Sequence, residues 1–248
     1  MTGWTNEAAI AKWGAMPRAA LDAMEPYGDF AKRHLLNPVV IRMLGDVRGR
    51  RVLDAGCGQG YFCRMLAGLG AEVTGVEPGE SLIGYAREKE SERAQGIRYL
   101  QADLSTPLDL AGLGGPFDAV VCNNVLMAVP GWTSVLASCL AALDAGGVFV
   151  FAIVHPCFER LSASWREHGE YRVREYLADY EIPERYATDF HRPLSAYLNE
   201  LIRQGARIRE VAEPGLGPGT SPGTGPGEDE LAGAYRRFPN FLVVCAGF

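Results

Sequence analysis

Lysine is almost missing from this sequence. Lys12, Lys32 and Lys89 are the only three among 24 basic residues. Acids number 30, leaving a net charge of -6 and no basic surplus for a phosphate backbone. Arginines do gather at Arg48, Arg50 and Arg51 and at Arg203, Arg207 and Arg209, but no aromatics alternate with them. They read as solvated turns and helix ends, so no nucleic-acid partner is expected. No apolar run approaches the roughly 18 residues that would span a bilayer, and no membrane partner is expected. Met1–Thr5 offers neither a cationic stretch nor an apolar one, so no secretory leader is expected. The six cysteines (Cys57, Cys63, Cys122, Cys139, Cys157, Cys245) form no C-x-x-C pair, and most sit in apolar runs. They read as buried free thiols of a reducing compartment, which makes the expected location cytoplasmic. Nothing clusters as metal ligands would, so no metal is expected. What remains is ordinary globular composition, 48% hydrophobic and 22% charged over 248 residues. That length suits one α/β domain with a modest elaboration.

Periodicity organises the chain. Residues 1–50 read as helical, with apolar positions at helical spacing over 9–16 and 30–44. Strand, turn and helix then alternate. Strands fall at 51–54, 72–76, 97–100, 117–122 and 147–154, and helices at 61–69, 81–90 and 132–143. This alternation predicts a parallel sheet with right-handed crossovers and helices on both faces. Residues 157–193 break the pattern with many aromatics and few aliphatics. A helix over 194–204, a strand over 207–211 and a last strand over 240–247 follow. The link between those strands, residues 213–227, is the run EPGLGPGTSPGTGPG, which cannot pack a core and predicts a mobile loop. Such a link suits an antiparallel hairpin at the sheet edge.

The most informative stretch is Val52-Leu53-Asp54-Ala55-Gly56-Cys57-Gly58-Gln59-Gly60-Tyr61. An acid at the end of the first strand, followed by G-x-G-x-G, places bare backbone beside a ligand at the carboxyl edge of the sheet. A dinucleotide fingerprint would need glycine where Tyr61 stands. Three further segments follow strands two, three and four: Val76-Glu77-Pro78, Ala102-Asp103-Leu104 and Cys122-Asn123-Asn124-Val125-Leu126. Taken singly, Glu77 and Asp103 could be helix or turn caps, and Asn123 a turn residue.

In their order these segments resemble the class I S-adenosylmethionine (SAM) dependent methyltransferases, over roughly residues 40–155 and again at the C-terminus. The resemblance implies a Rossmann-like seven-stranded, mostly parallel α/β sheet with an antiparallel last strand. It divides the chain into an N-terminal helical segment (1–50), a SAM-binding core (51–155), a cap inserted after strand five (156–193) and the C-terminal part of the sheet (194–248). It implies that Asp54, Gly56, Cys57, Gly58 and Gly60 line the methionine half of SAM. Glu77, with Pro78, would accept both ribose hydroxyls, Asp103 and Leu104 would meet the adenine, and Asn123 would back the cofactor. Asn124 would face the methyl acceptor. A carboxylate at Glu77 can take two hydrogen bonds from a diol and disfavours a 2′-phosphate. Outside the core, His155-Pro156, Phe190-His191-Arg192-Pro193-Leu194-Ser195, Glu213-Pro214 and Pro239-Asn240-Phe241-Leu242 resemble a bacterial subgroup of small-molecule methyltransferases.

The sulfonium is already electrophilic, so such an enzyme mainly aligns the reactants and excludes water. A base helps where the acceptor carries a proton. His155, directly after strand five, and His191, where the aromatic segment returns to the sheet, are the candidates, each with a structural reading beside it. His34 and His168 read as surface or packing residues. Phe158, Trp165 and Tyr176 are the expected acceptor-binding roof, and Trp4 and Trp13 either close the site or pack the core. Methylation of exocyclic base amines would want Asn/Asp-Pro-Pro after strand four, and Asn123-Asn124-Val125 lacks the prolines. A metal-dependent catechol-type enzyme would want clustered acids near strands four and five. The reading that stands is methyl transfer from SAM to a small molecule in specialised metabolism, by a chain that could form a homodimer. The alternative is a SAM-binding protein of the same fold that uses the cofactor for cyclisation or structure.

Overall fold

The computed structural model describes residues 3–106, 110–173, 175–217 and 228–248. Its centre is a seven-stranded sheet of β1 (Arg51–Ala55), β2 (Glu72–Val76), β3 (Arg98–Leu100), β4 (Phe117–Asn123), β5 (Leu143–Val154), β8 (Arg207–Ala212) and β9 (Phe241–Gly247), in the order β3-β2-β1-β4-β5-β9-β8. Strands β1 to β5 pair in parallel. Strand β9 lies antiparallel to both β5 and β8. The order reverses between β1 and β4, and their separating carboxyl ends open the crevice where ligands of such sheets bind.

Alternation along the strands separates two cores. Val52, Val121 and Val150 face one side, and Leu53, Val120, Phe149 and Phe151 the other. All seven residues of β9 are buried. This follows from cover on both faces and explains its unbroken apolar run. On the first face pack α3 (Asn37–Leu44), entered through a π-helical turn at Lys32–Leu36, and α4 (Tyr61–Gly68). On the second pack α7 (Trp132–Ala141) and α9 (Leu194–Arg203). Helix α5 (Glu80–Glu92) follows β2, and α6 (Leu110–Leu113) precedes β4.

Residues 1–50 divide. Helix α3 belongs to the core, whereas α1 (Asn6–Gly14) and α2 (Arg18–Asp22) lie outside it as a cover. The cover packs Trp13, Met16, Leu21 and Met24 on Leu82 and Tyr85 of α5. The Tyr85 hydroxyl donates to Asp22 (2.7 Å) and Asn6 accepts from the Gly131 amide (2.8 Å), so the cover spans from α5 to the loop before α7.

Three elements lie where the sequence pattern assigns neither helix nor strand: α8 (Leu161–His168), the hairpin β6 (Tyr180–Pro183)/β7 (Thr188–His191), and α10 (Glu228–Tyr235). The expected antiparallel pair of last strands at the sheet edge is present: β9 lies between β5 and the edge strand β8, and the link from β8 to β9 contains α10. Of the expected mobile loop over 213–227, residues 218–227 lie outside the described residues. The described part is anchored, since Leu216 is buried and its amide donates to the Tyr235 carbonyl (2.9 Å).

The hairpin is held to the body by a buried pair. Glu159 Oε2 lies 2.5 Å from His191 Nδ1, and the Tyr180 ring stacks on the imidazole at 4.4 Å between centroids. Burial pulls the His191 pKa down, but the hydrogen bond and charge of Glu159 and the Tyr176 carbonyl outweigh it, so the net shift is upward. A raised folded-state value means this stabilisation is full below the unfolded pKa and is lost as pH rises through the folded one. His191→Ala should therefore cost about 3–5 kcal/mol in chemical denaturation, the range for stranding one half of a buried pair. It should also remove the loss of stability that the wild type shows as pH rises through that region.

Candidate active site

At the carboxyl edge of β1, β2 and β4 the chain encloses a cavity of about 480 Å³, within the size range of small-molecule sites. Asp54, Gly56, Cys57, Gly58, Glu77, Pro78, Asp103, Leu104, Asn123 and Asn124 all line it. The structure thus brings together nine of the ten expected cofactor residues and one of the four expected acceptor residues.

Backbone geometry explains the turn after β1. The amides of Gly56 and Cys57 both donate to the Val76 carbonyl (2.8 and 2.9 Å), folding the turn onto the end of β2. Its three glycines have positive φ for different reasons. A side chain on Gly56 would collide with Val125. One on Gly60 would meet the Tyr99 hydroxyl and Arg64. At Gly58 nothing stands within 4 Å, and the open space is the cavity itself. Gly60 does not line the cavity, which corrects the expectation that it binds cofactor: it is a packing glycine at the start of α4.

Glu77 joins the two loops. Its Oε2 accepts from the Gly58 amide (3.1 Å) and its Oε1 from the Gly79 amide (2.8 Å). Each oxygen keeps acceptor capacity for a ligand hydroxyl. Burial pushes its carboxyl up to about 7, against the pull of those two amides. Asp54 is likewise pushed up to about 6 by burial, with the Cys63 thiol donating to it at 3.1 Å and opposing the shift. Asp103 Oδ1 accepts from the Ser105 amide (2.8 Å), so it caps its turn as well as lining the cavity. At the end of β4, Asn123 Oδ1 and Nδ2 and Asn124 Oδ1 are buried without a hydrogen-bond partner among the described residues, and Asn124 holds a φ of 57°. Stranded donors and acceptors beside an open glycine fit a polar ligand such as SAM, since burying them unpaired is costly.

The expected proton acceptors are not placed for that role. His155 is buried, with Nε2 2.7 Å from Glu213 Oε1 and Nδ1 accepting from the Cys157 amide (3.1 Å). His191 has both ring nitrogens engaged, by Glu159 and by the Tyr176 carbonyl (2.8 Å). Neither lines the cavity. The expected roof is corrected too. Phe158 and Trp165 pack on Phe238, and the Tyr176 hydroxyl accepts from the Leu194 amide (2.9 Å), all three away from the cavity. Trp4 donates to Glu181 instead of closing the site (2.7 Å). The cover consists of Ile10, Trp13, Met16 and Met24 from the N-terminal segment and Leu231 and Tyr235 of α10. Helical periodicity announced the N-terminal residues as a helix, but no local signal says which way its apolar face turns. Trp13 alone was singled out.

A methyltransferase-domain family model matches residues 53–151. A ubiquinone biosynthesis O-methyltransferase from Coxiella burnetii is 32% identical over 143 residues, covering 56% of this chain and 60% of that protein. One of the same name from Alkalilimnicola ehrlichii is 33% identical over 151 residues, 59% of each. The match thus spans about three-fifths of these curated relatives. A SAM-dependent methyltransferase from Mesorhizobium loti of known crystal structure is 30% identical, superposes with a TM-score of 0.67, and covers 84% of this chain and 95% of its own. The chain belongs to the SAM-dependent methyltransferases.

Two predictions test the site. Gly58→Ala should lose affinity for S-adenosylhomocysteine (SAH) out of proportion to its stability cost of about 1–2 kcal/mol for a left-handed alanine. Gly60→Ala should show the reverse, with lost stability and preserved affinity in the folded fraction. Equal effects of both on calorimetric SAH binding would contradict the distinction. For Glu77, whose ordinary value is 4.5, the folded apo protein holds the proton more tightly than the unfolded chain. Its burial therefore lowers stability as pH rises between those values. Ribose hydroxyls donate to the carboxylate and favour its ionised form. SAH affinity should accordingly increase between about pH 6 and about pH 8, and Glu77→Gln should flatten that rise.

Proposed function

We propose that this protein transfers the methyl group of SAM to the oxygen of a small, apolar-bodied hydroxyl compound, in the cytoplasm and as part of specialised metabolism. The observation that carries the reading is the continuity of one cavity. It runs from the Gly58 turn and Glu77, where Met16 and Met24 pack on Leu82 of α5, past Asn123 and Asn124, to the apolar Leu231 and Phe241. A cavity lined this way takes a polar cofactor at one end and a lipophilic molecule at the other. The choice of oxygen is supported by the O-methyltransferase names of the curated relatives. Free cysteines, five of them buried, support the cytoplasm, and no helix among the described residues is long and apolar enough to cross a membrane.

When bound, SAM supplies a methyl group on a positively charged sulfur. The chain's own residues align the acceptor and shut out water. Glu77 and Asp54 would hold the cofactor, Asn123 and Asn124 would offer stranded polar atoms at the join, and α1 and α2 would close the cavity. With both histidines committed elsewhere, alignment carries most of the acceleration.

Incubation with SAM and a set of apolar phenols should yield SAH and methyl ether in equal amounts. His155→Ala and His191→Ala should keep turnover per folded molecule within about threefold of wild type, against the 10²–10⁴-fold loss expected of a general base. Tight SAM binding with no SAH formed from phenols or amines would support the non-methylating alternative.

A further inference from the structure

The cavity divides at β4. The cofactor residues lie at the ends of β1, β2 and β3 on one side. On the other side the sheet contributes Val154 of β5 and Asn240 and Phe241 at the start of β9, and the wall is completed by Ser162, Tyr235 and Asp189. Asp189 lines that half together with the Asp29–Lys32 ion pair, whose neighbour Phe30 stacks on Tyr235, and no part of the cofactor site requires Asp189. It sits on β7 opposite Ile182 of β6. Its neighbours pin it from both sides. The Phe190 amide donates to the Met127 carbonyl in the segment after Asn123 and Asn124 (2.8 Å), and Thr188 Oγ1 accepts from Lys12 Nζ of α1 (2.6 Å). The side chain is thus held against the loop after β4 and the N-terminal cover, yet its Oδ1 is buried without a hydrogen-bond partner among the described residues. So are Asn124 Oδ1 and Trp13 Nε1, which line the same cavity.

We propose that Asp189 is the specificity-determining residue of the acceptor half, and that it selects acceptors carrying a hydroxyl hydrogen-bond donor on an apolar body. The inference rests on the proposed methyl transfer to a small molecule. Two of the stranded atoms, Asp189 Oδ1 and Asn124 Oδ1, are acceptors, so the occupant that relieves their desolvation brings donors. Ile10, Leu231 and Phe241, which line the same cavity, require the rest of it to be apolar. An acceptor that presents only a carboxylate there would set like charge against Asp189. Burial, with Glu184 and Glu159 adding to it and Lys32 and Lys12 opposing, pushes the Asp189 carboxyl up to about 7. A group so poorly solvated has the most to gain from a donor.

The test uses the SAH-loaded full chain and two probes that differ in one donor, 4-tert-butylphenol and 4-tert-butylanisole, with calorimetry as the readout. Wild type should bind the phenol at least about tenfold more tightly, the lower end for a hydrogen bond to a charged group. Asp189→Leu should bring the two probes within about threefold while SAH affinity stays unchanged. Asp189→Asn, which keeps an accepting oxygen, should retain most of the preference. Asp189→Ala serves the same comparison if leucine does not seat in β7. A merely structural aspartate would alter both probes alike and leave their ratio intact. An undiminished ratio in Asp189→Leu and Asp189→Ala, or no preference in wild type, overturns the assignment while leaving methyl transfer standing. Failure of wild type to bind SAH overturns both.

Discussion

Two amide hydrogens meet the carboxylate of Glu77, one from Gly58 and one from Gly79. That junction lets a sheet of hydrophobic strands present a polar site. The turn after β1 is also fixed by its fold-back onto Val76, by the Gly60 amide donating to the Cys57 carbonyl and by Arg64 donating to the Gln59 carbonyl, while Gly58 has open space before it. Without an acceptor for the Gly58 amide, a donor near the site would lack a partner. Glu77 fixes the turn from the neighbouring strand end and remains able to accept from a ligand. The cost is a carboxylate almost out of water, which shows in its raised proton affinity. A binding partner that donates hydrogen bonds lowers that cost, so the apo site is poised for a diol before one arrives.

The same economy of stranded groups recurs across the cavity, with the opposite sense to the rest of the cap. Glu159 and His191 satisfy one another in the dry interior, and His155 is met by Glu213 and the Cys157 amide. These side chains carry the chemistry a catalyst would want, yet their partners are all internal. Their function is to fasten the hairpin and the segment after β5. Of the six buried polar atoms left unpaired among the described residues, five line the cavity, on Asn123, Asn124, Trp13 and Asp189, and one, Glu90 Oε2, lies outside it on α5. Reactivity of a residue type is therefore a poor guide to the site, and the lack of a partner is a better one.

This difference marks what the sequence could tell. Strands β1 to β5 and β9 were legible because a strand covered on both faces must be a short apolar run, and because an acid or asparagine at its end is out of place unless something meets it. Gly56, Gly58 and Gly60 were legible as a turn but not as three separate devices. What distinguishes them is Val125, open space and Tyr99, and those neighbours come from other parts of the chain. The aromatic segment was read as a roof because its composition is right for one. Its rings pack on Phe238, from the far end of the chain. No pattern within residues 157–193 encodes that partner. His191 and Glu159 are 32 positions apart, with no periodicity linking them.

The actual cover comes from both ends of the chain, from the N-terminal helices and from α10. Helices α1 and α2 reach the sheet through Leu21, Trp13, Met16 and Met24 on α5, and through the Asp22, Asn6 and Lys12 hydrogen bonds. The apolar part of this contact is small beside the two main cores, and the Arg18–Glu88 and Arg64–Glu25 ion pairs add to it. Lys12 joins this cover to Thr188, the neighbour of Asp189. The N-terminal cover and the hairpin that carries Asp189 are therefore joined by a direct hydrogen bond, and both wall the one cavity.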